Sequence, residues 1–411
     1  MDLATLSLSI IVSVVGVSIA SKINVGWLAI LAASILGLGF GKVSFENILG
    51  GFPTELFLTL VSVTFLFSQA QLNGTLEAIV KTMLRWIHTK PAFLPPALFG
   101  ISAVISGIGA GNIATTALIA PLAMTLARDW MLSPFLVAIM VGNGANAGAL
   151  SPMAPTGVLM ISKLKEFGLA EAGWSIFCYS LLIHAIVSLG GYWLCRGYRV
   201  NVSRVAASRE PVSLQPVQWK TIAVLAGVFI FAAGFHWPLA LVSLSGGILL
   251  SVLSPRPERE ILQSMPWGSI IMVCGVVLLV SLAEKLGGLG LLADMMTRYS
   301  TKGTMAGTAA FVSGFASIFS SSSGVVIPTF LPMVPGLIER MGSGDSTALA
   351  TSIAVAAHLV DVSPLSTIGA LCIAAVPESG ERDQLFNKML AWGLSMAVVG
   401  AVVCFLRFDV F

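Results

Sequence analysis

Four breaks in otherwise apolar stretches hold the residues that could do chemistry. The first is the run Ser106-Gly-Ile-Gly-Ala-Gly-Asn112-Ile-Ala-Thr115-Thr116-Ala-Leu-Ile-Ala-Pro121. Glycines at 107, 109 and 111 loosen it, and Asn112 stands where a helix N-cap would stand, able to satisfy amides the new helix cannot pair. The second is Ser320-Ser321-Ser322-Ser323-Gly324, a hydroxyl cluster before Val325. The third is Ser151-Pro152, read as a cap followed by Pro at the first helical position, preceded by Asn143 and Asn146 three apart. The fourth is Ser363-Pro364, preceded by His358 and Asp361, again three apart. Each helix start carries roughly half a positive charge, so converging starts suit an anion. Freed carbonyls with Asn and Ser oxygens are hard ligands of the kind Na⁺ prefers. The expected substrate contacts are Asn112, Thr115, Ser151, Ser322, Ser323 and Ser363. The expected ion-coupling residues are Asn143, Asn146, His358 and Asp361, with Na⁺ oxygens at Asn112, Asn143 and Ser322. The alternatives stay open: a kinked packing helix at 106–121, a surface turn at 320–324, and ordinary interhelical hydrogen bonds from Asn143 and Asn146. His184 and His236 read as structural. No HxxxH, GxSxG or paired carboxylates occur at a break, so the pattern is not that of an enzyme. No cofactor is expected beyond a coupling Na⁺ or H⁺, and no nucleic acid.

The elements around these breaks must cross a membrane. The chain is 56% hydrophobic and 10% charged, against about 25% charged in soluble domains. Runs long enough to span lie near 3–20, 25–41, 53–72, 174–195, 219–236, 238–254, 266–283 and 389–406. Broken pieces lie at 93–127, 131–162, 305–338 and 347–376. Met1-Asp2-Leu3 lacks the basic start of a signal peptide, so the first run is read as a retained span. The five cysteines sit in or beside apolar runs without CxxC spacing and read as packing residues.

Clean and broken pieces recur in the same order in both halves. Pro53 and Pro266 differ by 213, Pro121 and Pro332 by 211, and Ser151-Pro152 and Ser363-Pro364 by 212. The expected domains are therefore a first repeat, 1–205, and a second, 206–411. Residues 93–127 are too long for one span and too short for two with a turn, which suits a re-entrant hairpin. Lys81, Arg85 and Lys90 before it, and the basic loop 196–220 after two further spans, share the cytoplasmic side only if the hairpin does not cross. The expectation is an all-α polytopic membrane protein: an inverted repeat, each half with five transmembrane spans and one re-entrant hairpin (93–127 and 305–338), and broken helices at the midplane. Binding sites of such folds lie between the repeats.

The run Ile48-Leu-Gly-Gly-Phe52-Pro53-Thr-Glu55-Leu-Phe-Leu-Thr59-Leu60-Val61, continuing through Phe67-Ser-Gln-Ala70-Gln71-Leu-Asn73-Gly74-Thr75, resembles the N-terminal region of the MatC-type malonate/dicarboxylate carriers. The likeness extends through Ala117-Leu-Ile-Ala-Pro121 and Ala147-Gly148-Ala-Leu-Ser151-Pro152. The second half resembles the wider ion-transporter superfamily in architecture, which includes the divalent anion/sodium symporters. The resemblance implies a secondary active transporter of small dicarboxylates, of malonate, malate or succinate size, with an elevator-like transport domain and a scaffold that often dimerises. It implies a bacterial inner-membrane protein. Of the symporters' Ser-Asn-Thr tip motif, only Asn112 carries over residue for residue. The rival readings are a tripartite periplasmic transporter subunit and a cation/proton antiporter of the same superfamily.

Overall fold

The computed structural model describes residues 2–21, 23–85, 91–129, 131–199, 214–235, 237–376 and 379–410. The first half holds α1 (Leu3–Ser21), α2 (Val25–Ser34), α3 (Phe45–Leu49), α4 (Thr54–Leu72), α5 (Thr75–Arg85), α6 (Leu94–Ile105), α7 (Gly111–Asp129), α8 (Pro134–Ala149), α9 (Pro155–Glu166) and α10 (Ala172–Leu194). The second holds α11 (Pro216–Phe229), α12 (Leu239–Leu253), α13 (Glu258–Ser264), α14 (Trp267–Lys285), α15 (Gly288–Arg298), α16 (Met305–Ile318), α17 (Ile327–Phe330), α18 (Val334–Met341), α19 (Ser346–Val360), α20 (Thr367–Ala374) and α21 (Ser379–Cys404). The protein is an all-α polytopic membrane protein. Among the described residues, seven segments are long and apolar enough to cross a membrane, and five shorter apolar helices accompany them.

The element order recurs. α4 and α14 are offset by 213 at both ends, and so are the amphipathic α5 and α15. Packing recurs as well: α2 of the first half packs on α14 of the second, and its counterpart α12 packs on α4. Gln69 pins the latter pair, its Nε2 donating 2.8 Å to the Gly247 carbonyl. A chain that exchanges equivalent helices between its halves in this way buries both against one another rather than forming two independent cores.

Two hairpins stand apart from this frame. Gly144 packs on Phe99 and Gly148 on Ala103, so α6 runs parallel to α8. α7 joins α8 through 130–133 and therefore runs back along it. α6 and α7 are thus an antiparallel pair whose tip is the π turn Ser106–Ala110. The reversal uses backbone only glycine adopts readily: Gly109 has φ 130° and Gly111 φ 76°. At Gly109 a Cβ would also lie 2.3 Å from the Phe67 ring. In the second half Ser313 Oγ donates to the Ile353 carbonyl at 3.3 Å and Ser322 reaches Asp361, so α16 lies along α19 in the same sense. Its returning arm is broken into a π turn, α17 and α18, since Pro328, Pro332 and Pro335 each remove a helix amide.

The start of α16 is capped from the far end of the chain. The Asp409 carboxylate accepts from the amides of Ala306 (3.1 Å) and Gly307 (2.9 Å), donors that have no partner within a helix. Asp409→Ala is expected to lower stability by about 1 kcal/mol, the usual scale of a lost cap. Thermal unfolding in detergent reads this, and an unchanged midpoint rules the cap out as a stabilising contact.

Two expected helix starts move. α9 begins at Pro155 and α20 at Thr367, not at Pro152 and Pro364. Ser151 Oγ instead accepts from the Met153 amide at 3.3 Å, and Ser363 Oγ from the Leu365 amide at 3.4 Å. Each hydroxyl closes a local turn, a use that competes with helix capping. The turn is duplicated: a Cβ at Gly157 would meet the Ser151 carbonyl oxygen at 1.8 Å, and one at Gly369 the Ser363 carbonyl oxygen at 2.0 Å. The residues Lys90, Arg204, Arg209 and His236, and the boundary at 205/206, lie outside the described residues.

Candidate functional site

The two tips meet at one cavity of about 220 Å³. Gly109–Ala114 of the first tip and Ser323 of the second line it, with Thr64, Phe67, Ser68 and Gln71 of α4, Pro155 and Thr156 at the start of α9, and Ser269, Ile270 and Val273 of α14. Its polar groups are hydroxyls, amides and the first amides of α7. Among the described residues, no Lys or Arg lines it. The positive end of α7 is the main fixed charge facing it.

Asn112 makes two side-chain hydrogen bonds at the first tip. It does not precede α7 as a cap: the helix opens at Gly111, with its positive φ, and Asn112 follows inside the first turn. Its Oδ1 accepts from the Ile113 amide at 3.0 Å, and its Nδ2 donates to Asn146 Oδ1 at 2.9 Å. Asn146 Nδ2 in turn donates to the His358 carbonyl at 3.0 Å. Asn146 and His358 are equivalent positions of the two halves, so this bond joins one broken helix end to its counterpart. An amide has two N–H donors; the second one of Asn112 is uncommitted.

Residues 1–149 match the family described as dicarboxylate carrier protein MatC N-terminus. An uncharacterized transporter of Mycobacterium tuberculosis (strain H37Rv) is 23% identical over 313 residues, covering 72% of this chain and 71% of the relative. A 46 kDa membrane protein of Mycobacterium leprae is 22% identical over 306 residues, covering 71% and 70%. In three dimensions the chain is similar to the crystal structure of the Alcanivorax borkumensis YdaH transporter, described as having an unusual topology. The TM-score is 0.57 at 14% identity, over 90% of this chain and 88% of that one. The first 149 residues are thus similar to the N-terminus of the dicarboxylate carriers, and relatives that span most of the chain are named as transporters, which are not enzymes.

Around the cavity the protein gathers some of the expected residues and sets others aside. Asn112 and Ser323 line it. Ser322 lies one residue deeper, fully buried, its Oγ donating to Asp361 Oδ2 at 2.8 Å. Ser321, not Ser322 or Ser323, caps the second tip by accepting from the Gly324 amide at 3.1 Å. Asp361 Oδ1 has no hydrogen-bond partner, while its backbone carbonyl accepts from Ser366 Oγ. Asp361 does not cap α20, which starts six residues on. Thr115 and Asn143 are fully buried, and their side-chain polar atoms have no partner among the described residues. His358 donates Nδ1–H to the Ala354 carbonyl at 2.9 Å and leaves Nε2 without a partner. Ser151 and Ser363 lie outside the cavity lining, held in their own turns.

Sequence reasoning missed the α4 side of the site. Thr64, Ser68 and Gln71 fall at i, i+4 and i+7 and so share one helix face of an apolar span. That spacing was the available signal. Thr156 and Ser269 carried none, since each is a single hydroxyl among apolar neighbours.

Proposed function

We propose that the chain is a secondary active carrier of small dicarboxylates of malonate, malate or succinate size, coupled to Na⁺ or H⁺. The observation that carries this reading is the cavity: both hairpin tips line it with hydroxyls, amides and a helix start, in a chain whose first 149 residues match a dicarboxylate-carrier family. A dianion there meets no Lys or Arg among the described lining residues, so a co-bound cation lowers the cost of burying it. Asp361 Oδ1, Asn143 Oδ1 and Thr115 Oγ1 are buried oxygens without partners, of the hard type that suits Na⁺. In this reading 1–205 and 206–411 are inverted repeats and the two hairpins are re-entrant. They move with α8–α10 and α19–α21 as an elevator against a dimeric scaffold built on α1–α5 and α11–α15. The membrane is the bacterial inner membrane and the loop 196–220 faces the cytoplasm. The reciprocal packing of α2 on α14 and α12 on α4 supports the repeat.

The test is counterflow by the purified chain in proteoliposomes with a panel of C3–C6 carboxylates. Saturable exchange of a dicarboxylate, with monocarboxylates inert, is expected. Transport only with an added periplasmic binding protein assigns the chain to a tripartite system instead. Cation or proton exchange without any carboxylate flux makes it an antiporter.

A further inference from the structure

Two glycines fix the height at which the tips meet the helices across the cavity. A Cβ at Gly109 of the first tip would lie 2.3 Å from the Phe67 ring of α4, and one at Gly324 of the second tip 2.3 Å from the Met272 methyl of α14. Phe67 and Met272 therefore stand level with the tips. Phe67 lines the cavity, and so do Ile270 and Val273, which flank Met272 in sequence and lie three apart on one face of α14. Leu60 of α4 and Leu159 of α9 extend this wall, and both belong with Ile270 and Val273 to one buried apolar cluster. A ligand held between the two tips thus has its middle against hydrocarbon.

The polar groups of the cavity are needed by the carboxylates themselves. Thr64 donates its hydroxyl hydrogen to the Leu60 carbonyl at 2.7 Å, and Ser264 donates to the Ile261 carbonyl at 2.8 Å, so neither has a donor left. The side-chain donors that remain among the described residues are those of Ser68, Gln71, Asn112, Thr156, Ser269 and Ser323, beside the first amides of α7. One ionised carboxylate accepts at about four sites, so a dicarboxylate has a use for all of them. A hydroxyl on its carbon skeleton either takes a donor from a carboxylate or turns to Phe67, Ile270 and Val273. At that wall it loses the hydrogen bonds it made in water. A methyl group in the same place removes apolar surface from water instead, which is favourable.

We propose that the site selects dicarboxylates whose carbon skeleton is bare or carries a small alkyl group, against their hydroxylated analogues, and that Phe67, Ile270 and Val273 set this preference. The inference rests on the dicarboxylate reading and narrows it to malonate and succinate over hydroxymalonate and malate. The size of the effect is bounded, since an apolar pocket rejects an added hydroxyl by about hundredfold at most.

Equilibrium binding to the purified chain in nanodiscs at neutral pH tests this with ligands matched in length and charge. Malonate is compared with hydroxymalonate and methylmalonate, and succinate with malate and 2-methylsuccinate. In each series the hydroxylated member is expected to bind about ten- to hundredfold more weakly than its parent, and the methylated member at least as tightly. Val273→Thr and Ile270→Thr each place a hydroxyl in the wall, the first at almost constant volume. The preference for malonate over hydroxymalonate should then shrink by about three- to tenfold, the scale of one regained hydrogen bond. A hydroxylated ligand that binds as tightly as its parent overturns the proposal while the dicarboxylate reading stands. Binding by no member of either series overturns both. A preference that stays at the wild-type value in folded V273T and I270T alike overturns the assignment to this wall. The comparison of ligands on the wild type decides the selectivity even where a variant folds poorly.

Discussion

Asn112→Ala is expected to weaken dicarboxylate binding about ten- to hundredfold, the scale of one lost hydrogen bond to a charged group. The effect has two parts. The substitution removes the uncommitted N–H that faces the cavity, and it also removes the donor to Asn146. Asn146 Oδ1 is then buried without a partner, which adds its own desolvation cost. Ser323→Ala, which removes one hydroxyl from the opposite tip, should act in the same direction but less, since Ser323 shares only a long 3.4 Å contact with Ser321 Oγ. Malonate binding to the detergent-solubilised variants is the measurement. Wild-type affinity in both, with the protein folded, returns the tips to a purely structural role and moves the site elsewhere.

What was legible in the sequence follows from which physical constraints write themselves into residue types. Backbone that breaks at membrane depth must be built from Gly, Pro, Asn and Ser, so the four breaks and their spacing could be read directly. The recurring turn was visible because Ser151 to Gly157 and Ser363 to Gly369 demand the same glycine: a Cβ there would collide with the serine carbonyl oxygen. Side-chain direction was not legible. Ser-Pro reads as a cap with an N1 proline, yet Ser151 and Ser363 turn back on their own loops and the helices start later, at Pro155 and Thr367. The tertiary fold made that choice, because only the folded core decides whether a hydroxyl faces a cavity or its own backbone. The same holds for α4. Its Gln69 and Gln71 are two apart and point to different faces, one to the Gly247 carbonyl and one to the cavity.

Asp361→Asn is expected to abolish Na⁺- or pH-gradient-driven accumulation while substrate-for-substrate counterflow persists. Asp361 is buried at the end of α19, and an ionisable group at that depth is costly unless it has a function or a partner. Its Oδ2 is engaged by Ser322, and among the described residues no Lys or Arg pairs with it and Oδ1 has no partner. A carboxylate so placed is stabilised by a bound cation, either Na⁺ on Oδ1 or a proton. Asparagine keeps the size of the side chain and an oxygen to accept from Ser322, so the second hairpin keeps its seat on α19. Only the charge that attracts the cation is lost. The structural alternative, a cap for the following helix, has no support in the geometry, since α20 begins at Thr367 and Ser366 rather than Asp361 precedes it. The deciding experiment is uptake under an imposed Na⁺ or pH gradient, run beside counterflow without one. Accumulation at the wild-type level in D361N removes Asp361 from the coupling machinery and leaves its bond to Ser322 as a means of fastening the second hairpin. Loss of both activities, with the variant folded, makes the carboxylate part of the substrate site itself.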